Sequence, residues 1–302
     1  MTSFVPHAVR VRVPATSANL GPGFDTAGLC LALYDEVEVG VAPAGQLHLV
    51  VVGEGRRALS QQGGRHLVVS TLHRTLDRLG GRPAGLSVRC TNRIPQSRGL
   101  GSSSAAIVAG VLAARALVED GASRLDDDAV LDLASEIEGH PDNVAACLRG
   151  GFTLAWTDRA GGHAVRRDAH PDLLPVALVP AERSSTKEVR GLLPATVPHA
   201  DATANAARAA LLSLAITAEP GLLLAATEDW LHQGYRASAM PRTAALVAEL
   251  RGRGVPAAVS GAGPTVLAIT LRDGADAVVA SAPEGWGATA LAVDPMGAVV
   301  LP

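Results

Sequence analysis

Lysine is almost missing from this chain: Lys187 is the only one, and arginine carries nearly all the positive charge. The shortage excludes a good deal. A P-loop NTPase needs a glycine loop ending in Lys-Ser or Lys-Thr, a protein kinase needs a strand lysine, and a pyridoxal enzyme needs a Schiff-base lysine in a pocket. Lys187 stands in Ser-Ser-Thr-Lys-Glu with no glycine loop before it, which rules out the first two and leaves the third unsupported. Cysteine is scarce as well. Cys30, Cys90 and Cys147 are far apart and form no CxxC pair, so neither a disulfide framework nor a zinc site is suggested. They read as buried thiols in a reducing cytoplasm. Aromatics make up only 3% and charged residues 18%, against 48% hydrophobic, which is enough apolar material for sizeable cores and too little charge for disorder. A net charge of -3 supplies no basic field for nucleic acid or an acidic membrane surface. The N-terminus lacks the apolar stretch of a signal peptide. The richest later apolar run, Ala209 to Ala218, is roughly half the ~20 residues of a membrane span. A cytoplasmic protein acting on small molecules is the expectation.

At 302 residues the chain suits two domains. A period of two runs through Val9, Val11 and Val13, resumes from Leu29 to Val41, and predicts strands on either side of a turn-rich insert, Pro14 to Asp25. Further strands are predicted over Leu47 to Val52, Leu86 to Cys90, Phe152 to Trp156 and Val176 to Val179, and as a pair around Gly261 to Pro264. Helical patterns cover Leu67 to Leu79, Ser104 to Val118, Ala129 to Glu138, Asn143 to Leu148, Asp201 to Thr217, Leu222 to His232 and Thr243 to Arg251. The Ala-rich stretch before Val118 is apolar almost all round, which indicates burial. Strands and helices mix without strict alternation, so the class is α+β. Asp158 to Asp172 is the best boundary, dividing the chain into lobes 1–160 and 161–302.

The sharpest local feature is Pro95-Gln-Ser-Arg-Gly-Leu-Gly-Ser-Ser-Ser-Ala105, a glycine and serine loop directly before the buried helix. Glycines let backbone approach an anion closely, and free amides at a helix start favour phosphate. An ordinary N-capped helix after a turn reads equally well from this loop alone. A dinucleotide fingerprint does not fit, because Glu119 ends a helix-like run and not a second strand. Nor does a nucleophile elbow, since Ala105 stands where its last glycine belongs. Glu136-Ile-Glu-Gly-His-Pro-Asp-Asn143 gathers polar groups at a helix end, a pattern more often solvated than functional. Pro14-Ala-Thr-Ser-Ala-Asn-Leu-Gly-Pro-Gly-Phe-Asp25 and Ser260-Gly-Ala-Gly-Pro-Thr265 each pass for a turn when read alone.

Taken together and in this order, the four segments resemble the GHMP kinases, the family of galactokinases, homoserine kinases, mevalonate kinases and phosphomevalonate kinases. The resemblance covers most of the chain. Within the family, Pro14 to Asp25, His140-Pro-Asp-Asn143, Ser185-Thr-Lys-Glu-Val-Arg190 and Leu231-His-Gln-Gly-Tyr-Arg236 are similar to the members that act on homoserine. The resemblance implies a two-lobe fold, the first lobe like a ribosomal-protein domain and the second ferredoxin-like, with the active site between them. It implies ATP and Mg2+ as cofactors and L-homoserine as the substrate, phosphorylated on its side-chain hydroxyl in a step toward threonine.

The same resemblance implies roles. Pro95, Gln96, Ser97, Arg98, Gly99, Leu100, Gly101, Ser102, Ser103, Ser104 and Ala105 form the phosphate loop. Ser103 and Glu136 hold the metal, with Glu138 the second choice. Asn19, Asp25, His140, Asp142 and Asn143 surround the hydroxyl and ammonium ends of the acceptor; of these, Asp25, Asp142 and Asn143 stand nearest the chemistry, with neither aspartate expected to be an obligate base. Arg190 and Arg236 grip the carboxylate, a task suited to guanidinium forks, and Thr186 lies beside the acceptor. Three positions depart from the family pattern. His66 stands where an asparagine usually meets adenine, Arg93 replaces a lysine, and Gly234 replaces a proline and is expected to loosen its loop. Another GHMP kinase with a different alcohol, or a catalytically silent nucleotide-binding regulator on the same fold, are the rival readings. Oligomeric state is left open, with a homodimer among the choices.

Overall fold

The computed structural model describes residues 2–159, 161–184 and 186–302. Strict alternation builds its first sheet: in β1 (Val9–Asn19) the valines at 9, 11 and 13 are buried while Arg10 faces outward. β1 pairs antiparallel with β2 (Gly23–Val41), and β3 (Leu47–Gly53) and β4 (Leu86–Asn92) extend the sheet beyond it. β2 is long enough to serve two neighbours. Its Glu36–Val41 half pairs with β4, whereas Ala27, Gly28 and Leu29 pair with β5 (Phe152–Asp158).

Two expectations change here. Pro14 to Asp25 is not chiefly turn: β1 continues to Asn19 and the chain re-enters β2 at Gly23. Register shifts after Pro14 and Ala18 bend the strand, and Ala15 to Ala18 are wholly buried, so their small side chains serve close packing beneath the neighbouring helices. The second concerns the lobe boundary. Residues 161–167, placed in the second lobe by that boundary and not foreseen as a strand, form β6 (Gly161–Arg167), which pairs along all of β5, so the first sheet runs on to Arg167.

The helices Ser102–Leu117, Asp127–Glu138 and Asp142–Arg149 lie on this sheet, and Leu67–Arg78 packs against Ser102–Leu117. Ser102–Leu117 is buried on nearly every side, as its Ala-rich composition predicts. Asp126 caps the next long helix by accepting from the Ala129 amide at 2.9 Å, and left-handed Gly139 ends it.

The second lobe is a four-stranded antiparallel sheet in the order β10-β7-β9-β8, from β7 (Val176–Pro180), β8 (Ala257–Val259), β9 (Val266–Ala268) and β10 (Trp286–Ala290). Helices Pro241–Gly252 and Arg272–Ala280 pack on it through Leu246, Leu250 and Val278. The helix His199–Thr217 instead joins the first core through Leu212, Ala215 and Ile216. A last strand, β11 (Val299–Leu301), returns to pair with β1. The helix expected over Leu222 to His232 does not form as one piece. The short helix Leu223–Ala226 stops first, and Asp229 then takes the amides of Leu231, His232 and Gln233 on its carboxylate at 2.7–3.0 Å, which starts the separate turn Gln233–Arg236. Gly234 stands in open space inside that turn, which closes through Arg236 N to His232 O. Among the described residues no helix is long and apolar enough to cross a membrane.

Candidate active site

Three remote loops meet at one seam. The Ser260 hydroxyl donates to the Gly99 carbonyl at 2.6 Å and lies 2.8 Å from the Ser17 hydroxyl. Gly261 N donates to Ala18 O, and Asn19 Nδ2 donates to Gly261 O at 2.9 Å. Gly99 and Gly101 both have positive φ, and a methyl on them would lie 2.2 Å from Ser260 O and 1.9 Å from Thr16 Oγ1 respectively. Nothing larger than glycine fits. Asn19 and Asp25 are themselves left-handed, and Asn19 Oδ1 accepts from the Asp25 amide at 3.1 Å, holding that turn.

Over this seam lies a cavity of about 360 Å3, lined at one end by Gly99, Gly101, Ser102 and Ser103 and at the other by Asp25, Arg190 and Arg236. Ser97, Ser102 and Ser103 also line a second cavity of about 280 Å3, which runs away between Leu59, His66 and Asn92. Of the loop residues predicted to cradle phosphate, Gly99, Gly101, Ser102, Ser103 and Ser97 face the first cavity, and Gln96 and Ala105 face the second. Pro95 faces neither. Leu100 is a core residue, and Arg98 turns away to donate to the carbonyls of Pro180 and Ala181, bracing the loop on the second lobe.

The carboxylate beside the serines is a correction. Glu138, not Glu136, accepts from Ser103 Oγ at 2.8 Å and from Ser104 Oγ at 2.9 Å. Glu136 is exposed and paired with Arg74. The two glutamates lie about 200° apart around a helix, so one of them must face out. Glu138 continues the buried stripe of Val130, Leu131 and Ala134 at helical spacing, a signal that was available in the sequence.

At the acceptor end, Asp142 is buried and its Oδ1 collects His140 Nδ1 at 2.6 Å and the Asn143 amide at 2.7 Å. Thr16 Oγ1 donates to Asn143 Oδ1 at 2.8 Å and fixes that amide's orientation. Burial opposes a charge on His140, but the hydrogen bond and charge of Asp142, aided by Glu138 and Asp25, outweigh it and raise the imidazole above its ordinary value. Arg190 and Asp25 form a bidentate pair at 2.7 and 2.8 Å, whose hydrogen bonds raise the guanidinium further. Arg236 is only 3% exposed, and burial together with the nearby Arg190 charge lowers it. Phe24, which the sequence reading did not single out, lies 5.3 Å and 5.0 Å from the two guanidinium carbons and serves both as a platform. Thr186 lies in a helical turn that carries Arg190, but its side chain is outside the described residues.

His66 is buried in the second cavity with neither ring nitrogen partnered among the described residues, and burial lowers its pKa. Asp35, on the same wall, is pushed up to about 6 by burial despite the amides of Ile94 and Arg93 that it accepts. The Arg93 side chain turns to Tyr34 O and Glu36, away from that cavity.

The profile of the GHMP kinases N terminal domain matches residues 66–151, and that of the GHMP kinases C terminal matches residues 212–288. The homoserine kinase of Streptomyces coelicolor is 58% identical over 300 residues, covering 99% of this chain and 96% of its own. That of Mycobacterium tuberculosis is 48% identical over 288 residues, covering 93% and 90%. Among solved structures, a homoserine kinase from Cytophaga hutchinsonii superposes with a TM-score of 0.83 at 24% identity over 100% of this chain and 99% of that one. The mevalonate kinase of L. major does so with a TM-score of 0.71 at 18% identity, over 98% and 100%. These two likenesses concern the fold.

Proposed function

The chain belongs to the GHMP kinase family, and from that premise we infer that it is the enzyme that moves the γ-phosphoryl group of ATP to the side-chain hydroxyl of L-homoserine, a step of amino-acid biosynthesis. One observation carries the choice of acceptor: the phosphate loop and the charge set Asp25, Arg190 and Arg236 line a single cavity. Homoserine is a zwitterion with one free hydroxyl. Its carboxylate suits the arginines, its ammonium suits Asp25 and Asp142, and its hydroxyl is then directed at the loop. A sugar or mevalonate has no use for both signs of charge. A silent nucleotide sensor would have no need of acceptor-binding charges beside the phosphate loop.

The donor end suits a nucleoside triphosphate. Amides at the start of the helix Ser102–Leu117 and the glycine turns before it offer an anion cradle, and the cavity past His66 has room for a base. The all-oxygen set of Glu138 and Ser103 fits a hard dication. We assign Mg2+ to that pair, where it would neutralise charge on the β- and γ-phosphates. Phosphoryl transfer through a loose transition state demands chiefly positioning and charge stabilisation. Asp142, already hydrogen-bonded to His140 and Asn143, therefore orients the hydroxyl, and the proton leaves late without an obligate base. The three free, buried thiols suit a reducing cytoplasm.

The test is ADP release across homoserine, serine, threonine, mevalonate and galactose, with and without Mg2+. Homoserine should give the highest kcat/KM, and only with the metal. Faster turnover of mevalonate or galactose would overturn the acceptor, and undiminished turnover in chelator would overturn the metal.

A further inference from the structure

We propose that His232, as a neutral imidazole with its proton on Nε2, is the positioning residue that aims Arg236 at the acceptor. The proposal rests on reading Arg236 as a carboxylate-binding group. His232 is wholly buried on the turn Asp229 to Arg236. Its Nε2 lies 2.8 Å from the Gly21 carbonyl, which can only accept, so Nε2 carries the proton. Nδ1 is left as a lone-pair acceptor, 3.3 Å from Arg236 Nη1, which can only donate. The ring stacks on Phe24 with centroids 5.0 Å apart, and the same phenyl ring supports the guanidinium.

The chemistry of the partner matters more than its mere presence. Among the described residues Arg236 has no carboxylate bound to it and its Nε is without a partner, and the nearby Asp229 spends its oxygens on three backbone amides. Arg190, by contrast, is already neutralised by Asp25. A neutral acceptor fixes the direction of the Arg236 fork without cancelling its charge, so the fork remains available to an incoming carboxylate. A carboxylate at position 232 would compete with the substrate. Protonation would undo the arrangement too, since a second proton on Nδ1 would face the guanidinium. Asp229 and Asp25 favour that proton, Arg236 opposes it, and burial opposes it most, lowering the imidazole below its ordinary value.

The experiment compares His232→Leu, His232→Gln and Arg236→Ala with the wild-type chain. Loss of a hydrogen bond to a buried charge should raise the homoserine KM of His232→Leu by about 10- to 100-fold, with ATP KM unchanged and kcat within about threefold. Glutamine can donate to Gly21 and accept from Arg236, so it should recover most of that loss. In the wild type, homoserine KM should rise as pH falls below the ordinary imidazole range, and His232→Gln should lack this limb; the limb decides the matter even if the leucine variant does not fold. An unchanged homoserine KM in His232→Leu, a parallel rise in both KM values, or an acid limb that survives in His232→Gln would each overturn the proposal. If Arg236→Ala leaves homoserine KM unchanged, the carboxylate reading itself falls; if it raises KM while His232→Leu does not, only the positioning role falls.

Discussion

The two ends of the cavity are made of different materials. The donor end is backbone: glycines at positive φ, amides at a helix start, and serine hydroxyls a residue or two away. The acceptor end is side chain: Asp25, Asp142, Arg190 and Arg236, brought from four separate segments. A phosphate can be held by a short local turn because every peptide offers the same donor. A zwitterion needs charges of both signs at fixed separation, and only tertiary folding supplies that.

The contrast is open to attack by substitution. The largest effect is expected at the donor end, where Glu138→Gln should lower kcat by about 100-fold or more and shift the Mg2+ dependence, while Glu136→Gln stays within about threefold. Equal effects in single-turnover and steady-state assays of the two variants would reverse the assignment made from the Ser103 and Ser104 bonds. Next comes Asp25→Asn, which breaks the pair with Arg190. Homoserine KM should rise by about 10- to 100-fold with ATP KM unchanged, and a matching rise in ATP KM would erase the division between the two ends. The smallest effect is a pH-dependent one at His140. Its raised pKa means that the charge pair with Asp142 contributes stability fully below the ordinary imidazole value of about 6.5 and loses it as pH rises through the raised value. His140→Asn should therefore melt below wild type in mild acid, by a free-energy difference of about 1 kcal/mol, and the gap should close toward alkaline pH. A gap that widened with pH, in calorimetric scans, would reverse the sign of the coupling.

The same contrast governs what could be read before folding. The phosphate loop was legible because its chemistry is contiguous, and the buried helix after it was legible because almost every side chain is apolar. Strand periodicity found β3, β4, β5 and β7, and the short β11 and the helix Arg272–Ala280 went unseen because segments of three and nine residues leave little signal. Resemblance supplied Arg190 and Arg236, which no local pattern marks. It also carried Glu136, and there a helical-face argument from Val130, Leu131 and Ala134 would have favoured Glu138. The failed helix over Leu222 to His232 shows the opposite limit, since only the fold reveals that Asp229 caps a new turn instead of riding on the old one. Phe24 and His232 were invisible for a related reason: each acts through the arginines it touches, and the contact exists only in space.

Ser17, Gly99 and Ser260 are bonded into one seam although more than eighty residues separate each from the next. These three of the four signatures that mark the sequence are thus a single part, not three interchangeable ones. An engineer grafting a phosphate loop from another member of the family would have to carry Thr16, Ser17 and Ser260 with it, because the glycines are cut to the atoms of their neighbours. Recombination that respects only the order of motifs along the chain would join pieces whose mating surfaces do not match.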